Sequence, residues 1–147
     1  MHISTKCSIA IHCLIFIHEY GKDKRVTSEL LSLSTGCNPV SIRNIISSLK
    51  KDGILSVKSG TGGTTLACRL EEISLYRILI AVEPNSLKKL IGIHTSPSPF
   101  CPVGKNIYSV LETSYQTMQE DLQHSLESIT MKEIVENYHN TMSQSQT

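Results

Sequence analysis

The residues best equipped for chemistry stand between Asn38 and Lys58, and their chemistry is recognition rather than bond-breaking. Ser41, Arg43, Asn44, Ser47, Ser48, Lys50 and Lys51 alternate with Ile42, Ile45, Ile46 and Leu49. At helical spacing this sets an apolar stripe against a face of small polar, amide and basic groups. Arg and Asn side chains offer the paired donors and acceptors that match base edges in a DNA major groove, so Arg43 and Asn44 are the candidates for base contacts. Lys50, Lys51 and Lys58 suit phosphates, with Ser41 and Ser47 as smaller hydrogen-bonding groups. Taken singly, each of these side chains reads better as solvated surface; it is the whole arrangement, its order, caps and local charge together, that favours DNA binding. No nucleophile–base pair, phosphate loop or carboxylate pair is present, so the chain is not expected to be an enzyme.

The five cysteines (7, 13, 37, 68 and 101) show no C-x-x-C spacing, which suggests neither a disulfide framework nor a structural zinc site. Cys7, Cys13 and Cys68 fall at apolar positions and read as small core residues. Cys37 directly precedes a helix start, where a thiolate is favoured, and Cys101 lies in a proline-rich stretch. These two are the candidates for redox sensing. The six histidines (2, 12, 18, 94, 124 and 139) are scattered, without the i, i+4 pair of a helical metal site.

The recognition residues need a scaffold, and the chain supplies its signals in order. Residues 4–20 predict a helix that is apolar nearly all round, with Ile3, Cys7, Ala10, Leu14 and Ile17 on one face. Thr27 is an N-cap for a second helix with Leu30, Leu31 and Leu33 as its contacts, and its first turn can present backbone N–H groups to a phosphate. Asn38-Pro39 opens a third helix over 39–51, Asn as cap and Pro at the first position. Residues 54–58 and 65–68 predict a two-stranded ribbon around a glycine-rich tip that includes Thr61, placed to reach a minor groove. A fourth helix is expected from Glu71 to Val82. The loop 92–104 precedes a long helix over 105–129, whose seam is Ile107, Leu111, Tyr115, Met118, Leu122 and Leu126. A narrow near-heptad seam most often pairs with its own copy.

This order predicts a mainly α fold with a small β-wing: a winged helix-turn-helix domain over 1–83, a proline-rich loop over 84–104, a dimerisation helix region over 105–139 and a flexible tail over 140–147. Charge agrees. Residues 1–70 carry nine Lys/Arg against four Asp/Glu, and residues 71–147 carry five against nine, so only the front half is suited to a polyanion. The apolar run Ile9–Ile17 is interrupted by His12 and closed by His18-Glu19, with no cleavage site after it, and no run is long enough to span a membrane. A cytoplasmic protein is expected.

The stretch "TSELLSLSTGCNPVSIRNIISSLKKDGIL" resembles the helix-turn-helix of the Rrf2 family of bacterial regulators (the IscR, NsrR and CymR type). "SGTGGTTLACRLEEISLYRILIAVE" resembles that family's wing and following helix. The resemblance covers about residues 3–130. It implies a homodimer held by the long helix, binding double-stranded DNA at a palindromic operator as a transcription regulator, with repression as the expected mode. Iron–sulfur members carry three cysteines in the loop before the long helix, whereas "HTSPSPFCPVGKNI" offers only Cys101. No cofactor is therefore expected, and the resemblance points to a cluster-free branch in which some members sense oxidants through thiols. A small ligand as the signal, or a winged-helix protein-interaction module without DNA binding, are the alternatives.

Overall fold

The computed structural model describes residues 4–60 and 62–146, so His2, Ile3, the wing-tip Thr61 and Thr147 lie outside the described residues. Helix α1 (Thr5–Tyr20) starts where the Ser4 hydroxyl accepts the Lys6 N–H at 3.0 Å. It buries Ala10, Cys13, Leu14 and Ile17 and forms the floor of the core. Helix α2 (Ser28–Thr35) is capped by Thr27, whose Oγ1 accepts from the Leu30 N–H at 3.2 Å. It runs on to Thr35 and ends at Gly36, whose φ of 73° is the left-handed conformation that glycine adopts without a steric penalty. Only Leu31 of its leucines is buried; Leu33, expected as a contact, is 82% exposed. Helix α3 spans Pro39–Lys51 as its cap predicted, with Ile42, Ile45, Ile46 and Leu49 turned into the core.

The wing is shifted from its predicted register. Strands β1 (Leu55–Lys58) and β2 (Gly63–Leu66) pair antiparallel, Leu55 opposite Leu66 and Lys58 opposite Gly63. The return strand therefore starts two residues earlier than Thr65, and Cys68 lies beyond it. The cause is contact with the segment before α2: the Thr64 N–H donates to the Val26 carbonyl at 3.3 Å. Gly63 has a φ of 64°, and a Cβ there would sit 2.9 Å from Arg25 Cγ and 3.1 Å from Val26 N. No larger residue fits that approach.

Glu71 and Glu72 do not open the fourth helix. They belong to a 3-10 turn (Leu70–Glu72), and α4 is Leu75–Val82, started by the Ser74 hydroxyl accepting from the Arg77 N–H at 3.0 Å. Helix α5 covers Pro102–Ser128. It begins three residues before Lys105 because Pro102 can take a first position that needs no N–H donor. Cys101 thereby becomes its N-cap residue instead of a loop residue.

The C-terminal chain differs most from expectation. After Ser128 the backbone straightens. The Leu75 N–H donates to the Ile129 carbonyl at 2.9 Å and the Met131 N–H to the Ile73 carbonyl at 2.8 Å, around an antiparallel bridge between Ser74 and Thr130. Helix α6 (Met131–Ser145) then packs back on the winged-helix core, burying Met131 and Val135. Met131 and Val135 thus join the core formed by α1 to α4, with Ile134 partly buried against it. Residues 140–145 are helical, not a frayed tail, because α6 is held by its own buried face and by His139, 2.7 Å from Glu19 of α1. Among the described residues no helix is long and apolar enough to cross a membrane.

Met131 is fully buried at the joint between α5 and the core. Met131→Ala is expected to cost about 2–5 kcal/mol, read as a lower denaturant midpoint for the whole chain. An unchanged midpoint would mean that α6 folds apart from the core.

Candidate nucleic-acid interface

The exposed surface of α3 is set by its helical period. Opposite the buried Ile42, Ile45, Ile46 and Leu49 runs a row formed by Val40, Asn44, Ser47 and Lys51, all exposed. Arg43 and Lys50 flank it on one side, Ser41 and the half-buried Ser48 on the other. The helix start is rigid, since Asn38 Oδ1 accepts from the Val40 N–H at 2.7 Å. Asn38 and Thr27, both expected at the interface, spend their side chains as caps. What they can still offer a phosphate is the backbone of a helix start.

Arg43 reaches across to Glu29 in the first turn of α2, Nη1 to Oε1 at 3.7 Å, with both side chains more than half exposed. A pair so open to water is worth little, so a base or phosphate can displace it. Among the described residues Lys50, Lys51 and Lys58 have no ion-pair partner. Lys50 and Lys51 close the last turn of α3, where the helix dipole favours positive charge, and Lys58 ends β1. The structure thus brings Ser41, Arg43, Asn44, Ser47, Lys50 and Lys51 onto one exposed helix surface. Ser41, Asn44 and Ser48 line a cleft of about 290 Å³ with Thr5 and Lys6 of α1.

Two positions escaped the sequence reading. Lys6 sits in the first turn of α1 beside α3, and nothing in its local sequence signals that neighbour. Arg77 is the other. From α4 its Nε donates to Asp52 Oδ2 at 2.7 Å and its Nη2 to the Asp52 carbonyl at 3.0 Å. Its Nη1 meets the Glu72 carbonyl at 3.2 Å and the Cys68 sulfur at 3.5 Å. Burial works against its charge, but Asp52 and Cys68 outweigh that and hold the guanidinium above its ordinary pKa. Because Asp52 caps α3 and Cys68 follows the wing, one side chain ties both recognition elements to α4. The available signal was a lone arginine in the otherwise apolar "LYRILIAV".

The cysteines divide by environment. Burial pushes the Cys13 thiol up to about 12, the neighbouring Cys37 adding to the effect, and burial together with Glu83 raises Cys7. Cys37 faces back toward α2: its N–H donates to Thr35 Oγ1 at 3.2 Å, and its sulfur lies 3.8 Å from the Thr35 carbonyl. The thiol placed at a helix N-terminus is instead Cys101, fully exposed, where the backbone N–H groups of Gly104 and Val103 lower its pKa.

Known proteins share this arrangement. Residues 3–137 match the profile of the Rrf2 family, described as an iron-dependent transcriptional regulator. YwnA of Bacillus subtilis (strain 168), named as an HTH-type transcriptional regulator, is 33% identical over 133 residues, spanning 90% of this chain and 96% of its own. A transcriptional regulator from Lactobacillus plantarum superposes with a TM-score of 0.74 at 26% identity, covering 97% of this chain and 96% of its own. CymR, the global cysteine regulator of B. subtilis, superposes at 0.67 with 15% identity over 92% and 97% of the two chains, a likeness of fold.

An iron-dependent regulator needs ligands gathered around one ion. Among the described residues no three His, Cys, Asp or Glu side chains gather within reach of one ion. The four cysteines besides Cys101 are spread over α1, the α2–α3 turn and the end of the wing. The described residues do not fit an iron site or cluster. The thiol environments make their own prediction. At about pH 8 a thiol with a pKa near 12 is ionised to about one part in ten thousand. Iodoacetamide should therefore modify Cys101 first and leave Cys13 intact until the protein unfolds, as followed by peptide mass spectrometry. Equal rates at the two sites would contradict the assigned environments.

Proposed function

Because the chain belongs to the Rrf2 family of transcriptional regulators, we propose that it acts in the cytoplasm as a homodimeric repressor that recognises a palindromic DNA operator. The observation that carries this reading is the exposed α3 surface of Arg43, Asn44, Ser47 and Lys51, flanked by unpaired lysines and tied to the wing through Arg77. With α3 in the major groove, Arg43 and Asn44 meet base edges, while Lys50, Lys51 and Lys58 neutralise phosphates. The wing follows the backbone toward the minor groove.

The dimer rests on α5. This helix is 27 residues long and none of its side chains is fully buried. Ile107, Leu111, Tyr115, Leu122 and Leu126 are half-buried along one seam, and Met118 is 50% exposed. A second copy of the helix covers that seam and sets two α3 helices about 34 Å apart, one turn of DNA. As the finer reading, the signal is thiol oxidation at Cys37 and Cys101. It is favoured by the exposed Cys101 thiol at the head of the same helix.

The deciding experiment is a DNA titration at several salt concentrations with reduced and oxidised protein. Arg43→Ala should lose about 1–3 kcal/mol of operator affinity and relax one base position, whereas Lys51→Ala should weaken all sequences alike and flatten the salt slope by about one. Oxidation should change the affinity of the wild type and not of Cys101→Ser. Unchanged affinity in both DNA-contact variants would move the interface elsewhere. Leu111→Glu with Leu122→Glu puts charge into the seam and should yield monomers by light scattering. A wild type already monomeric at micromolar concentration would remove the dimer from the reading.

A further inference from the structure

Beyond Pro39, whose ring opens the helix, every apolar residue of α3 is buried except one. Ile42, Ile45, Ile46 and Leu49 lie in the core, while Val40 is 55% exposed. It stands in the first turn, on the same outward row as Asn44, Ser47 and Lys51. An isolated exposed valine on a surface needs no explanation. This one sits at the N-terminal end of the helix that a helix-turn-helix protein aims at base edges. We propose that Val40 is a specificity-determining residue, its exposed isopropyl group reading the 5-methyl group of a thymine in the operator's major groove. The inference rests on the DNA-binding reading above and adds to it a residue and the base feature it selects.

Three features of the site carry it. Thymine's methyl is the one apolar group that any base presents on the major-groove edge, and Val40 is the one apolar side chain on the outward row of α3 that holds Asn44, Ser47 and Lys51. The backbone at Val40 is already immobilised, with Pro39 before it and its N–H donated to Asn38 Oδ1 at 2.7 Å. A β-branched side chain in a helix also keeps essentially one χ1 rotamer, so docking costs it little further entropy. Facing any other base at that position, the isopropyl group would cover a polar edge without satisfying it, which disfavours the wrong sequence.

The test uses the full-length protein and an operator selected from a random duplex library. Each thymine of the selected site is then replaced in turn by uracil, which removes only the methyl group. Binding should weaken about fourfold per half-site at one position, the factor for one methyl group taken out of contact, and stay level at the others. Val40→Ala should bind the unmodified operator about fourfold per half-site more weakly and ignore uracil at that position, with its salt slope unchanged. The uracil scan on the wild type needs no variant, so a poorly folded Val40→Ala protein does not spare the idea. Insensitivity to uracil everywhere overturns the proposal, and so does a full uracil penalty persisting in Val40→Ala. Both outcomes leave operator binding intact. Failure to enrich any sequence overturns the DNA-binding reading itself.

Discussion

A two-part DNA reader works only if its helix and its wing keep a fixed relation, and here that relation runs through the guanidinium of Arg77. Four polar contacts converge on it: two from Asp52 at the end of α3, one from Cys68 after the wing, and one from the Glu72 carbonyl. The Arg77 and Asp52 side chains are each about one-third exposed, so Coulomb attraction is screened and contributes modestly. What the arrangement supplies is geometry. A planar donor group with its partners on three segments cannot rotate without losing several contacts together. The glycine at position 63 adds the second restraint, letting β2 lie against the Val26 backbone where no side chain would fit.

The same segment is held from the other side. Ile73 and Leu75, shortly before Arg77, are hydrogen-bonded to Met131 and Ile129 at the joint between α5 and α6. The long helix is therefore tied at its C-terminal end to the backbone that carries the clamp. Whatever covers the seam of α5 acts on a rod joined directly to the elements that face DNA. In the proposed dimer this is a physical route that would link dimer geometry to α3 spacing, and it runs through a backbone bridge and a buried methionine instead of a flexible linker.

The cysteines show how local rules misplace chemistry when an element boundary moves. A helix N-terminus stabilises a thiolate only if the sulfur lies at the donor N–H groups. Cys37 precedes a helix start but is turned toward Thr35. Cys101 gained the favourable site because α5 begins at Pro102. A shift of three residues in one boundary placed Cys101 at a helix N-terminus.

Much of the fold was legible from residue order alone. The Asn38-Pro39 start, the Thr27 cap and the Ile42/Ile45/Ile46/Leu49 stripe are decided by neighbours within a few residues, and local steric and hydrogen-bonding preferences act at that range. Those signals were enough to define α1 to α3, the existence of a wing, the exposed polar and basic face of α3 and the family to which the chain belongs. The wing register, the return of α6 to the core, the outward turn of Leu33, the proximity of Lys6 to α3 and the Arg77 clamp depend on contacts between segments far apart in sequence. Met131 and Ile73 are such a pair. No periodicity encodes them, because they follow from which surfaces close-packing brings together. Residue spacing determined what this protein can present to DNA, and tertiary packing decided how rigidly and from which side chains it is presented.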